Sequence, residues 1–520
     1  MLGRADSIHA VLEGLLVERG GLGNFEPYDP PRYASQPDDR VDLRDQLAFT
    51  IDPETAKDFD DAVCVAADGD GLRAWVHIAD VSYFVPAGSP LDHGARSRAL
   101  STYVPGSVAP MLPHELADDL CSLRPHEERM CLTVEVPFSG AALEQGEPVF
   151  YRSVIRSKER FTYGQVEAVL AGREHVAPEL TEALANAERL SSFLRERRFA
   201  RGALHVQALE LSFDLDEQGI ADVRREGEPH AHMLVEELMI LANECVAGLL
   251  SSRQRPALYR VHEAPDPQSI ELLLARLAEL GVPTPPAPEV ESMTPAQAAR
   301  IASAASGLVT GYTGRAKRGE EAFRTLVLRS LKQARYDPRN LGHSGLASTA
   351  YCHFTSPIRR YPDLVVHRAL LHELGLGEKP VSDDLSDEAE HCSVREREAA
   401  EVEYLADEIC LAWHLEGRLH ELGWEHAWEG EIIGLIPGGL FARFGEVYEG
   451  MLPARRLVDD YYELDPLGVA LEGRRGGRRY RLGDRIDVRV ADIRRNEGKV
   501  ELAPAQGGRN RDRRKVGRRR

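Results

Sequence analysis

Thr50-Ile51-Asp52-Pro53-Glu54-Thr55-Ala56-Lys57-Asp58-Phe59-Asp60-Asp61-Ala62 places four aspartates within ten residues. Clustered carboxylates repel one another, and folding them together costs stability unless a cation neutralises them. Hard oxygen ligands suit Mg²⁺, with Mn²⁺ as the alternative. Phosphodiester cleavage uses such sites: one metal activates water, and a second, about 3.5–4 Å away, holds the leaving oxygen. The run is not a calcium EF-hand loop, because the sixth position from Asp52 is Lys57 where that loop needs glycine. A solvated acidic turn is the other reading that the spacing alone allows, since Asp is common in turns.

Some 300 residues on, Tyr351-Cys352-His353-Phe354-Thr355-Ser356-Pro357-Ile358-Arg359-Arg360-Tyr361-Pro362-Asp363-Leu364 leads into His367-Arg368. Ser-Pro opens a turn or a helix. Two guanidiniums, Arg359 and Arg360, beside a helix N-terminus make an anion site suited to phosphate. Arg also stabilises charge developing on a phosphorane-like transition state. The alternative is a structural arginine pair bonded to neighbouring carboxylates.

The aspartate run and this segment, in this order and with this separation, resemble the ribonuclease II/R (RNB) family. The shared motif is Asp-x5-Asp-x-Asp-Asp followed by His-Phe-Thr-Ser-Pro-Ile-Arg-Arg-Tyr-x-Asp-Leu-x-x-His-Arg. Stretches between them fit the same family. They are His77-Ile78-Ala79-Asp80-Val81-Ser82, Ser101-Thr102-Tyr103-Val104-Pro105, Pro110-Met111-Leu112-Pro113, Glu236-Glu237-x-Met239-x-x-Ala242-Asn243 and Gly342-His343-x-Gly345-Leu346-Ala347. The likeness covers about residues 41–370.

The resemblance implies a multidomain α+β chain. An RNB catalytic domain, a mixed sheet surrounded by helices, would occupy residues 41–372, extended by acidic helices over 373–424. Residues 1–40 would form a short N-terminal helical segment and linker. Glycines and short alternating strands after Trp428 suggest a five-stranded OB-fold β-barrel of the S1 type over 425–505. A basic, disordered tail would close the chain at 506–520. Helical spacing is also read at residues 5–20, 160–200, 233–250, 268–280, 298–308, 320–334 and 364–374.

Carried over residue by residue, the resemblance implies that Asp52, Asp58, Asp60 and Asp61 surround the metal. Asp60 is then indispensable for cleavage and Arg359 is a catalytic phosphate contact. Tyr103 would stack on the terminal base at the floor of a narrow channel, a grip that suits any sequence because every base has a π-face. Glu237, from the Glu236-Glu237 pair, and Asn243 would line the terminal nucleotide. Arg360 would add a phosphate contact, and His205 would stand at or beside a second stacking position. His77, His262, His343, His353 and His367 are read as structural or RNA-contacting, because magnesium prefers oxygen to imidazole. Family members carry two cold-shock barrels before the catalytic domain. About fifty residues precede Asp52, so the short helical segment is expected in their place.

The expected activity is 3′–5′ hydrolysis of single-stranded RNA to nucleoside 5′-monophosphates. A catalytically dead RNA-binding scaffold, an endonuclease with the same metal chemistry and a non-enzymatic partner of basic proteins are the rivals. Composition bears on them unevenly. The net charge is −20, which by itself argues against nucleic acid, yet the last twelve residues hold eight basic groups and one acid. From His372 to Cys410 thirteen acids face three bases. Phosphate attraction acts within roughly 8–10 Å, so a local basic strip suffices on an acidic body. Seven scattered cysteines without a Cys-x-x-Cys pair read as a reducing cytoplasm, with neither disulfide framework nor zinc knuckle. No apolar run approaches a membrane span, the start lacks a signal-peptide pattern, and a monomer is expected.

Overall fold

The computed structural model describes residues 7–18, 25–28, 40–204, 210–216, 219–226, 230–377, 382, 384–457 and 460–505. The first ten strands are β1 (Val41–Leu43), β2 (Phe49–Asp52), β3 (Asp61–Asp68), β4 (Gly71–Ala79), β5 (Thr102–Val104), β6 (Ser107–Ala109), β7 (Glu128–Ser139), β8 (Glu144–Gln145), β9 (Val149–Arg156) and β10 (Glu159–Thr162). Eight of them form one mixed sheet in the order β1-β9-β7-β4-β3-β2-β10, with β8 on the edge of β7. β1 and β10 join in parallel and the central pairs are antiparallel. The middle strands are buried almost end to end (Val63, Val65, Val76, Ile78, Leu132, Val134), the mark of a sheet covered by other elements. Helices Pro178–Arg201 and His230–Ser252 pack on each other and on β3 and β4.

Helical spacing over 160–200 proves to be three elements. β10 pairs in parallel with β2 through Thr162 and Asp52. A capping box, in which Thr162 and Gln165 satisfy each other's backbone N–H, then starts helix Tyr163–Leu170, and Pro178–Arg201 follows. Sheet pairing there overrides the helical pattern. The acidic stretch is one helix, Ser386–Leu422. It buries Val402, Ala406, Ile409 and Cys410 against Ile8, Leu12, Leu15 and Leu16 of helix Ile8–Glu18, and against Val104 and Ala109 of the β5–β6 hairpin.

The C-terminal strands Trp428–Ile436, Gly439–Phe444, Tyr448–Pro453, Lys499–Pro504 and Arg485–Arg494 close into a barrel. Gly439 sits at φ +153°, and a Cβ there would lie 2.3 Å from the Leu452 carbonyl oxygen, so the tight approach of two strands requires glycine. Phe444 is buried in the barrel core, whereas Phe441 is partly exposed. One hydrophobic cluster joins barrel residues Ile432, Leu440 and Val488 to Leu273, Ile301 and Phe323 of the preceding helices, so the barrel is seated on the body. The proposed tail lies outside the described residues. No helix among the described residues is long and apolar enough to cross a membrane.

Candidate active site

β2 and β3 run antiparallel through the Phe49–Val63 pair. Asp52 at the end of β2 and Asp61 at the start of β3 therefore share one edge of the sheet, and the loop between them carries Asp58 and Asp60. That loop is pinned from below. The Ser122 hydroxyl donates to the Lys57 carbonyl (2.6 Å) and accepts from the Phe59 N–H (3.0 Å). Leu123 N–H donates to the Phe59 carbonyl (2.9 Å), and Arg160 Nη2 reaches the carbonyls of Pro53 and Glu54.

The arginine segment docks on this loop. Ile358 N–H donates to Asp60 Oδ1 at 2.8 Å, and Arg359 Nε lies 3.4 Å from Asp60 Oδ2. The segment is fixed on its other side by Ser101 N–H to the Arg359 carbonyl (2.9 Å) and Tyr361 N–H to the Ala99 carbonyl (2.8 Å). Asp60 is buried, while the Arg359 side chain is 48% exposed and open to an anion.

Electrostatics favour a cation here. Burial pushes the Asp52 carboxyl up to about 6, against the pull of Thr50, Arg160 and Arg359. Burial, and then the Asp52 charge, push Asp61 up to about 7. Burial also holds Asp60 well above the usual carboxylate range. Asp52 Oδ2 is buried with no hydrogen-bond partner among the described residues. Such a group costs free energy unless something satisfies it, and a divalent cation would. Among the described residues no three Asp, Glu, His or Cys side chains close around one point. An open carboxylate edge suits Mg²⁺, which keeps several waters and shares its shell with substrate phosphates, better than it suits a metal caged by protein.

Tyr103 is 40% exposed, and its hydroxyl donates to Asp58 Oδ2 at 3.0 Å. Its backbone N–H donates to Glu403 Oε1 at 2.8 Å. Sequence reasoning missed Glu403, which acts on the site from helix Ser386–Leu422, where one acid among many carries no distinguishing signal.

Three residues expected to touch RNA are instead committed to the protein. Arg360 donates from Nε and Nη2 to Asp363 (2.9 and 2.7 Å), a carboxylate that is fully buried and also accepts from Ser356 N–H (2.8 Å). Nε and Nη2 are thus taken up by Asp363, and the pair shapes the loop. Glu237 is 2% exposed and paired with Arg198 at 2.5 Å, leaving Glu236 as the more open acid of the two. Asn243 is 3% exposed. Its amide donates to the Tyr351 hydroxyl (3.1 Å) and accepts from Phe354 N–H (2.8 Å), which fixes the approach to Ser356. Asn243→Leu should therefore cost about 1–3 kcal/mol of stability by stranding the buried Phe354 N–H, a shift that urea denaturation reads directly.

His205 lies outside the described residues. The histidines serve the framework: His77 meets Thr133 (2.9 Å), His353 meets the Tyr336 hydroxyl (2.8 Å), and His367 Nε2 donates to the Phe354 carbonyl (2.8 Å). His262 and His343 accept from the backbone N–H groups of Gly345 and Leu346. Burial pushes His77 and His343 down to about 3, so both rings are neutral.

Ribonuclease R of Escherichia coli (strain K12) is 37% identical over 484 residues, covering 89% of this chain and 57% of that enzyme. Ribonuclease R of Aquifex aeolicus (strain VF5) is 38% identical over 476 residues, covering 89% of this chain and 64% of the other. The chain thus spans somewhat more than half the length of these relatives. Among solved structures, Mycoplasma genitalium RNase R in complex with ribose methylated single-stranded RNA superposes with a TM-score of 0.87 at 27% identity, covering 97% of this chain and 79% of that one. The S1 RNA binding domain model matches residues 425–503. The RNB domain model matches residues 40–375, the sheet, the aspartate loop and the arginine segment together, and the chain belongs to the RNB domain family.

Proposed function

We propose that this protein is a metal-dependent 3′–5′ exoribonuclease that hydrolyses single-stranded RNA to nucleoside 5′-monophosphates. The observation that carries the reading is the position of Asp60, buried between the carboxylate edge and Arg359, with the half-exposed Tyr103 ring tied to the same loop. Its likeness to ribonuclease R supports the direction of attack and the choice of RNA.

Asp52, Asp58, Asp60 and Asp61 would hold Mg²⁺, or Mn²⁺, which supplies Lewis-acid stabilisation and activation of water. The side chains do the rest. Arg359, oriented by Asp60 and by the Ser356 hydroxyl (3.3 Å), offers an open guanidinium to charge building on the phosphoryl oxygens. The Tyr103 ring stacks on the 3′-terminal base, and the Asp58 contact sets where that base stops. The S1-type barrel receives RNA upstream of the site. Seven free, buried cysteines favour a reducing cytoplasm, and the chain is read as a monomer.

Chromatography of the digestion products tests the chemistry: nucleoside 5′-monophosphates should accumulate with Mg²⁺ and cease with EDTA. Products carrying 3′-phosphates would overturn it. Tyr103→Ala should lengthen the final undigested oligonucleotide, because the base loses its stop. An unchanged end product would return Tyr103 to a structural role.

A further inference from the structure

Helix Ile8–Glu18 precedes both the catalytic domain and the barrel, yet it packs behind the hairpin that carries Tyr103. Ile8, Leu12, Leu15 and Leu16 recur at helical spacing and all four are buried. Eleven residues are marginal as a helix on their own, so packing decides where this one sits. Its partners are the β5–β6 hairpin, helix Ser386–Leu422, and the antiparallel strands Glu210–Asp216 and Gly219–Glu226. Leu215 and Ile220 of those strands lean on the same cluster, and His9 Nε2 donates to the Asp216 carbonyl at 2.9 Å.

The hairpin needs such support. Among the described residues β5 and β6 pair only with each other, through three residues apiece. A two-stranded hairpin alone is marginally stable in water. Strand alternation sends Tyr103 and Val104 to opposite faces. Tyr103 meets the aspartate loop through Asp58, and the buried Val104 enters the cluster with Leu12 and Leu16. Val402 and Ala406 of helix Ser386–Leu422 fill the same cluster, and Glu403 beside them accepts the Tyr103 N–H. Leu16 also lines, with Thr102 and Val402, a cavity of about 260 Å³, so shortening Leu16 gives the hairpin room to shift.

We propose that helix Ile8–Glu18 is a positioning element for the nuclease site: Leu16, with Leu12, holds the β5–β6 hairpin at the height where Tyr103 halts the 3′-terminal base. Both leucines are buried and act through the hairpin, not by touching RNA. The inference rests on the reading of Tyr103 as the base stop.

The test uses the full chain. In EDTA, a short single-stranded RNA ending in 2-aminopurine should lose fluorescence on binding, because stacking quenches that base, and Leu16→Ala should recover part of the signal. With Mg²⁺, Leu16→Ala should lengthen the final undigested oligonucleotide. It should also raise KM for a short RNA about 5-fold, the lower end of what one base–aromatic stack is worth, with kcat close to wild type. Leu16→Met keeps the volume and should behave as wild type. Val104→Ala trims the hairpin's side of the same cluster and should act as Leu16→Ala does; it decides the matter if Leu16→Ala does not fold. In a Tyr103→Ala background neither change should lengthen the product further, because the stop they position is already gone. Folded variants with wild-type product length, KM and quenching would overturn the role and leave the helix as packing alone. Lengthening that adds to that of Tyr103→Ala would also overturn it. A Tyr103→Ala variant that keeps the wild-type end product would instead overturn the base stop itself, and the positioning role with it.

Discussion

Asp60→Asn should abolish RNA hydrolysis, lowering kcat by at least about 10²–10³-fold, while RNA affinity in EDTA stays close to wild type. The change is nearly isosteric. The amide oxygen can still accept from Ile358 N–H, so the loop keeps the bond that docks the arginine segment. What disappears is the negative charge beside Arg359 and one oxygen of the carboxylate edge. Tyr103, the residue proposed to stack on the terminal base, is untouched. Turnover that survived in this variant would remove Asp60 from the reacting centre.

Asp363→Ala should be the most destabilising single change in the site region, by about 3–5 kcal/mol, because it leaves one partner of a buried ion pair uncompensated. Arg360 would lose both of its short bonds, and Ser356 N–H would lose its acceptor. The Arg360 side chain is 24% exposed, so water can reach part of it, and the lower end of that range is expected. Urea denaturation measures the loss. Combining Asp363→Leu with Arg360→Met should recover part of it, since no charge is then stranded. A single variant as stable as wild type would show that the pair is dispensable and would reopen Arg360 as a phosphate ligand.

Much of this architecture was legible in the sequence because chemistry limits the choices. Metal-assisted phosphodiester cleavage needs hard oxygen ligands close together and a cation to meet the phosphate. The run from Asp52 to Asp61 and the Ser-Pro-Ile-Arg segment fulfil both needs, and the structure brings them into contact through Asp60, Ile358 and Arg359. The barrel was legible from glycine spacing and alternation, because closing strands at Gly439 leaves no room for a side chain.

The partners of individual polar groups were not legible. Arg360, Glu237 and Asn243 have the chemistry of RNA ligands, and nothing local distinguishes a guanidinium that meets phosphate from one that meets Asp363. Only the fold places Arg198 against Glu237 and Phe354 N–H against Asn243. Glu403 was hidden for the opposite reason, being one of many acids on a helix that reaches the Tyr103 hairpin only in three dimensions. The Thr162–Gln165 capping box was readable and would have divided the stretch over 160–200 correctly.

The most direct test of the account follows a 5′-labelled single-stranded RNA beside a circularised copy of the same RNA, with Mg²⁺ and with EDTA. A free 3′ end gripped at Tyr103 and cut beside Asp60 predicts a ladder that shrinks from the 3′ end of the linear RNA only with metal, with the circle left intact. Cutting of the circle, or a ladder that persists in EDTA, would contradict it.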